Sequence, residues 1–130
     1  MALIVETVTP DGSPTPIGPY SHNAKVGENI TIGGVGGVDP VTSEVARPGV
    51  FEQARQILRN FDALLREVGS DLGHVVHIQV FLKEMADFDE MNRAYVSVMG
   101  DHRPARTVLG VRELPKPAFR VLMNLTAVEA

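Results

Sequence analysis

The sequence predicts an α/β domain in which one mixed β-sheet carries two α-helices on one face. Apolar alternation and turn residues give the order strand, hairpin, helix, strand, helix, strand, strand. Each helical segment stands between two strands, and right-handed crossovers place both helices on the same side of the sheet. A chain of 130 residues can bury a substantial core. We therefore expect a single domain over residues 1–130.

Composition narrows the classes of function. A net charge of -4 without a basic tract argues against a dedicated nucleic-acid binder, and an aromatic content of 5% weakens base stacking. The absence of cysteine excludes disulfides and thiolate nucleophiles. No stretch reaches membrane-span length, and the N-terminus from Met1 to Glu6 lacks the features of a signal peptide. We expect a cytoplasmic protein without a membrane partner.

The first part of the chain predicts a strand, a loop and a hairpin. Leu3 to Val8 alternates as a half-buried strand does, and residues 10–19 are dense in proline and glycine. Ala24 to Val26 and Ile30 to Val35 flank a turn and predict a hairpin. Tyr20 follows a Gly-Pro pair at the end of the loop. It either covers the core or lines the rim of a site, and both interpretations remain open.

A glycine-rich stretch, residues 33–37, ends the hairpin strand. Glycines at a strand end permit close approach by a ligand or by another backbone. A phosphate-binding loop would lead into a helix, whereas another turn follows here. A bulge in the sheet and a ligand-facing backbone are equally supported.

The next segment predicts an amphipathic helix from Val50 to Val68, preceded by Pro48 and followed by Gly69 as a left-handed cap. Its apolar positions recur at spacings of three and four residues: Phe51, Ala54, Leu58, Phe61, Leu65 and Val68.

Residues 75–82 predict a strand with two different faces. Val76, Ile78, Val80 and Leu82 share one face, and Val75, His77, Gln79 and Phe81 share the other. Because the second face is mixed, we expect it to meet a partner subunit. His74 and His77 would lie on opposite faces of a strand, so we expect no metal site.

A second helix is predicted from Asp87, as a capping residue, to about Met99. Its buried side comprises Phe88, Met91, Tyr95, Val98 and Met99. Asn92 either points into a site or makes a cap-like bond. Ala118 to Val128 predicts a last, strongly apolar strand.

The stretch from Arg103 to Thr107 joins a polar turn to a short strand. Pro104 fixes its own φ and favours an extended Arg103, so Arg106 would stand near the first residues of that strand. A guanidinium there can act as an anchor for a carboxylate or phosphate. The other interpretation is that Arg103 and Arg106 are surface charges.

The ordered set of motifs resembles the RidA family, also called YjgF, of enamine/imine deaminases. The resemblance covers nearly the whole chain and rests on residues 17–21, 39–44, 52–58, 80–85, 87–95, 104–107 and 114–116.

The resemblance implies a chorismate-mutase-like fold and a homotrimer with sites in clefts between subunits. It also implies cofactor-free hydrolysis of 2-enamine and 2-imino acids, typified by the conversion of 2-aminoacrylate to pyruvate and ammonia. Arg106 corresponds to the arginine that holds the substrate carboxylate. The substrate-binding residues that follow from the resemblance are Tyr20, Gly33, Gly34, Asn92 and Thr107. An imino acid is already electrophilic, so such a site needs no metal, cofactor or strong nucleophile.

The chain departs from the family pattern on the last strand. Leu122 stands where typical members carry a glutamate that holds the attacking water, and Asn124 stands two residues on. Residues 33–37 also depart from the usual Ser-Gly-Gln pattern. The first hypothesis is therefore an imino-acid hydrolase, and the alternative is a non-catalytic trimer that binds small carboxylates such as 2-oxo acids. A ribonuclease activity, also attached to the family name, has little support from charge and aromatic content.

Overall fold

The computed structural model, which describes residues 3–130, contains a mixed six-stranded sheet and two α-helices. The elements are β1 Glu6–Val8, β2 Asn23–Val26, β3 Asn29–Gly36, α1 Val50–Arg66, β4 Val75–Leu82, α2 Phe88–Met99, β5 Ala105–Gly110 and β6 Val121–Val128. The strand order is β1-β2-β3-β6-β4-β5, and β4 and β5 pair in parallel. The predicted α/β class is confirmed. Neither helix within residues 3–130 is long and apolar enough to cross a membrane.

Both helices pack on the same face of the sheet. The buried side chains of α1, such as Leu58 and Phe61, belong to one cluster with Met91 of α2 and Ile78 of β4. The remaining cluster members come from β3, β4, β6 and the same sides of the two helices. The arrangement of two helices on one face therefore follows the periodicity of the sequence.

The other side of the sheet, called the open face here, carries no helix. Its residues are Thr31, His77, Gln79, Phe81, Thr107, Leu109, Leu122, Asn124 and Thr126. Leu109, Phe81 and Leu122 are register partners across β5, β4 and β6, so they form one apolar row. The neighbouring row of Thr107, Gln79 and Asn124 is polar. The open face is therefore mixed, as the alternation in β4 predicts.

Three predicted elements extend beyond the observed ones. No strand covers residues 3–5: the pairing of β1 with β2 ends at Glu6 and Lys25, close to the hairpin turn at Gly27. The helix α1 ends at Arg66, and the chain turns at Gly69 with a φ of 81°. The last strand begins at Val121 instead of Ala118. The Gln53 side chain bonds the Ala118 carbonyl and the Arg120 N–H, so these groups face α1 and not a neighbouring strand.

Three predicted side-chain placements were wrong. The register of β4 shifts between Val75 and His77, so Val75 is buried and Val76 is 52% exposed, the reverse of simple alternation. His74 lies in a 3-10 turn before the strand and pairs with Asp71. Asp87 is the N-cap residue of α2 as predicted, but its side chain makes no cap hydrogen bond, because its carboxylate accepts from the Arg120 guanidinium at 2.8 and 3.0 Å.

The glycine-rich stretch serves the sheet and the helix packing in separate ways. Gly33 and Gly34 form a bulge, since the β3–β6 register shifts between Ile32 and Val35. Gly37 lies against α1, where a Cβ atom would stand 2.7 Å from backbone atoms of Gln53. Gly37 therefore permits the close approach of another backbone, and the bulge interpretation is correct at residues 33–34.

Replacement of Gly37 by alanine tests this close approach. We expect Gly37→Ala to lower the free energy of unfolding by about 1–3 kcal/mol, the usual scale of overpacking against atoms that cannot rotate away. Gly33→Ala is the matched control, because no atom lies within 4 Å of a Cβ at Gly33. Urea denaturation at one protein concentration compares the two. Equal unfolding midpoints for the two variants would contradict the proposed packing.

Candidate functional site

Arg106 is the second residue of β5 and points toward the helices. Its register partner is the buried Ile78, and register partners lie on the same side of a sheet. The guanidinium carbon stands 4.8 Å from the ring centroid of Tyr95 and 5.9 Å from that of Phe88. A guanidinium nitrogen also lies 4.0 Å from Sδ of Met91. The cation is therefore held on an aromatic and thioether platform formed by α2.

The charge of Arg106 is not neutralised within the described part of the chain. Across residues 3–130, no carboxylate oxygen lies within 4.0 Å of its guanidinium, and the ion pairs found there use other cations. The side chain is half-buried. A half-buried guanidinium with free N–H donors is a strong attachment point for an anion that matches its planar fork.

The helix α2 also carries two buried polar atoms, one of them on the tyrosine of the platform. Asn92 Oδ1 and the Tyr95 hydroxyl are buried and have no hydrogen-bond partner among residues 3–130. Asn92 lies one helical turn from both Phe88 and Tyr95. The cap-like bond considered for Asn92 is absent from the described residues. Burial raises the pKa of Tyr95, and the positive charges of Arg106 and Arg103 offset only part of that effect.

Tyr20, Gly33 and Gly34 come together elsewhere, at the hairpin. Tyr20 is 42% exposed, so the interpretation that it covers the core is wrong. Its hydroxyl accepts a hydrogen bond from the Ile17 N–H at 3.2 Å. Gly34 is exposed, and a Cβ atom there would stand 3.1 Å from the Leu122 side chain. This second group of residues therefore adjoins the position at which the family pattern expects a glutamate.

His22 organises the hairpin group and was missed in the sequence. It is 3% exposed, and its Nε2–H donates to the Pro14 carbonyl at 2.5 Å. Its backbone carbonyl accepts from the Gly33 N–H at 3.1 Å, and its ring stands edge-on to Tyr20 with centroids 5.9 Å apart. The sequence gives no periodic signal for a lone histidine at a strand entrance. The hint in the sequence is that two polar residues, His22 and Asn23, stand together at the entrance of a strand.

One chain does not bring the two groups together. Arg106 lies on β5, whereas Gly33 and Gly34 lie on β3, and both β6 and β4 stand between them. Three strand spacings amount to about 14 Å. Thr107 points to the open face, opposite to Arg106, and is hydrogen-bonded to His77 at 3.1 Å. The chain therefore carries two separate groups of predicted site residues.

Comparison with known proteins places this fold and these motifs in one family. The profile of the family described as Endoribonuclease L-PSP matches residues 11–129. The chain is 34% identical over 128 residues to the 2-iminobutanoate/2-iminopropanoate deaminase of Mus musculus, covering 98% of this chain and 94% of that protein. It is 37% identical over 123 residues to a RutC family protein of Pyrococcus abyssi, covering 95% of this chain and 94% of the other.

A solved structure agrees with these sequence matches. The crystal structure of the YjgF gene product from E. coli is 33% identical, with a TM-score of 0.89, and the match covers 96% of this chain and 99% of that one. The chain therefore belongs to the Rid/YjgF/RutC family.

The pKa of Tyr95 provides a test of the platform. The chain contains two tyrosines, so Tyr20→Phe leaves Tyr95 as the single phenol. We expect its absorbance titration to have a midpoint above the ordinary value of about 10, because burial disfavours the phenolate. Because the folded pKa of Tyr95 exceeds the unfolded one, its ionisation leaves stability unchanged at neutral pH. Stability falls as pH rises from the unfolded pKa through the folded pKa. A midpoint below the ordinary value would mean that the two arginines dominate.

Proposed function

We propose that this protein hydrolyses reactive 2-enamine and 2-imino acids to 2-oxo acids and ammonia, with Arg106 holding the substrate carboxylate. The observation that carries the proposal is the half-buried guanidinium that no carboxylate of residues 3–130 neutralises. The names of the mouse and human relatives, 34% and 33% identical, support the same reaction class.

The proposed chemistry makes small demands on the protein. Water adds to C2 of the protonated imine, and the resulting amino alcohol expels ammonia to leave the 2-oxo acid. The carboxylate adjacent to C2 is the fixed handle of every such substrate, so a bidentate arginine can orient the reacting carbon. The platform of Phe88 and Tyr95 restrains the guanidinium before the substrate arrives, which reduces the entropy lost on binding.

Because Leu122 stands in place of the family's glutamate, other groups must hold the attacking water. A leucine accepts no proton, so the proton released by the attacking water must pass to the substrate nitrogen or to solvent. Asn124 and Gln79 are the nearest amides along β6 and β4, in the polar row of the open face. They can orient a water molecule without changing their own protonation state.

We further propose that the complete site lies between subunits of a homotrimer. The two groups of site residues are separated in one chain, so a second copy is needed to bring Arg106 to Gly34. The open face offers the apolar row of Leu109, Phe81 and Leu122, and Leu109 is 49% exposed in the single chain. A closed ring of three copies would cover this row on every subunit.

The trimer is tested by sedimentation equilibrium. We expect a mass three times that of the chain at micromolar concentration. Leu109→Arg places a charge in the apolar row and should dissociate the assembly. Val96→Arg is the matched control, because Val96 is 50% exposed on α2, away from the open face. A stable wild-type monomer would remove both the trimer and the site between subunits.

The role of Arg106 is tested by substitution. Charge-assisted hydrogen bonds contribute about 1.5–3 kcal/mol each, so loss of a bidentate pair in Arg106→Ala should lower kcat/KM at least about a hundredfold. Arg106→Lys keeps the charge without the fork and should restore only part of the rate. Release of the 2-oxo acid is followed with 2-aminoacrylate or 2-iminobutanoate generated in place by a second enzyme.

The control for this experiment is Arg103→Ala. The Arg103 guanidinium bonds the Gly100 and His102 carbonyls of its own turn, so its removal should change the rate little. If Arg106→Ala stays within about threefold of wild type, the anchor is wrong. Leu122 favours one alternative function, a non-catalytic trimer that binds small carboxylates. Binding of 2-oxobutanoate through Arg106, with no acceleration of imine hydrolysis, would establish that alternative.

A further inference from the structure

A cleft of about 450 Å³ lies where the loop before α1, the end of β4 and the start of β6 meet. Three of the residues that line it are basic, namely Arg47, Lys83 and Arg120, and one, Glu84, is acidic. Its volume is within the usual range for sites that bind small molecules. The chain as a whole has a net charge of -4, so the cleft has the opposite sign to the molecule that carries it. A concave region lined by one sign of charge concentrates the electrostatic field, and this one attracts anions.

Two of the three cations have no partner of opposite charge. Across residues 3–130, no carboxylate oxygen lies within 4.0 Å of the Arg47 guanidinium or of the Lys83 ammonium. Both residues are exposed, so their long side chains can turn toward a ligand. Arg120 differs, because the Asp87 carboxylate accepts two hydrogen bonds from its guanidinium and offsets its charge. The excess positive charge of the cleft therefore comes from Arg47 and Lys83.

Another groove of the same chain shows a balanced arrangement of charges. Its lining includes two cations, Arg59 and Arg66, and two carboxylates, Asp62 and Asp71. The Arg66 guanidinium pairs there with Asp62 at 2.9 Å. The basic residues of that groove are therefore balanced by acids of the chain itself, whereas those of the cleft before α1 are not.

The shape of the cleft is fixed by hydrogen bonds within its walls. The loop before α1 is held by the Ala46 N–H, which donates to the Gly37 carbonyl at 2.8 Å. The start of β6 is held by the buried Gln53 side chain, which bonds the Ala118 carbonyl at 3.0 Å and the Arg120 N–H at 2.8 Å. Because these walls are formed in advance, little entropy is lost in shaping them around a ligand.

We propose that this cleft binds a small phosphate monoester. A monoester carries nearly two negative charges at neutral pH and several acceptor oxygens, so it can meet both Arg47 and Lys83. A carboxylate carries one charge and suits a single guanidinium, as proposed at Arg106. The uncharged part of the ligand lies against the apolar portion of the lining, which includes Val45 and Pro117. None of the residues assigned to the substrate lines this cleft, so its test does not depend on the proposed function.

The test is calorimetric titration of the Arg106→Ala variant with phenyl phosphate. This variant lacks the guanidinium of the proposed substrate site, so an anion bound at that site does not contribute to the signal. We expect saturable binding with a Kd of about 1 mM or below. Phenyl sulfate has the same ring and a single charge, and it should bind more weakly. Inorganic phosphate should compete with phenyl phosphate.

Substitutions in the cleft locate the bound anion. Arg47→Ala and Lys83→Ala, each combined with Arg106→Ala, should weaken phenyl phosphate binding about tenfold, the scale of one charge-assisted hydrogen bond. Glu84→Gln should strengthen binding, because it removes the acid from the lining. Arg59→Ala is the matched control, since Arg59 is an exposed cation on α1 that does not line the cleft. It should leave the affinity unchanged.

Three results would overturn the proposal. The first is a lack of saturation up to about 10 mM phenyl phosphate, ten times the expected Kd. The second is binding that Arg47→Ala and Lys83→Ala leave unchanged, which would place the anion elsewhere. The third is tighter binding of single-stranded RNA, with an affinity that rises with RNA length and is lost in the same two variants. That result would make the cleft a nucleic-acid surface instead.

Discussion

The guanidinium of Arg106, held over the rings of Tyr95 and Phe88 with no carboxylate of residues 3–130 beside it, is the interaction on which the functional interpretation depends. A buried cation is costly unless an anion or a set of dipoles accompanies it. Here aromatic faces and a thioether sulfur supply part of that compensation, and the N–H donors stay available. The fold therefore keeps a cation that a small carboxylate can neutralise.

The sheet determines where that carboxylate can go. The strand β5 joins β4 in parallel at one edge, and α2 supplies the platform, so the cation is fixed on a rigid element. The hairpin with Gly33 and Gly34 is equally fixed, but two strands lie between it and β5. In the proposed trimer the same chain serves one neighbour with its cation and the other neighbour with its hairpin. The open face then serves assembly, whereas the cation lies on the opposite, helix-bearing side of β5.

Much of this architecture could be predicted from local patterns. The apolar spacing of α1 and the position of Arg106 at a strand entrance required no long-range information, because periodicity and Pro104 specify both. The exposed Val76 could not be predicted, since a register shift against β6 decides it. Asp87 suited a helix cap, but a distant residue, Arg120, takes its carboxylate. The role of His22 likewise depends on Pro14, a residue in a loop of no regular structure.

Subunit mixing tests the central claim of a site shared between two copies. Arg106→Ala removes one half of the site, and the bulky side chain of Gly34→Leu blocks the other half. The fold can accommodate that side chain, because its Cβ meets only the flexible end of Leu122. Each variant alone should lack imine hydrolysis. After mixing under conditions that exchange subunits, every mixed trimer contains one interface with both halves intact, so an equal mixture should regain about a quarter of wild-type activity. Recovery at this level is the result the account predicts. If subunits exchange and no activity returns, the two groups of residues do not form one site across the interface.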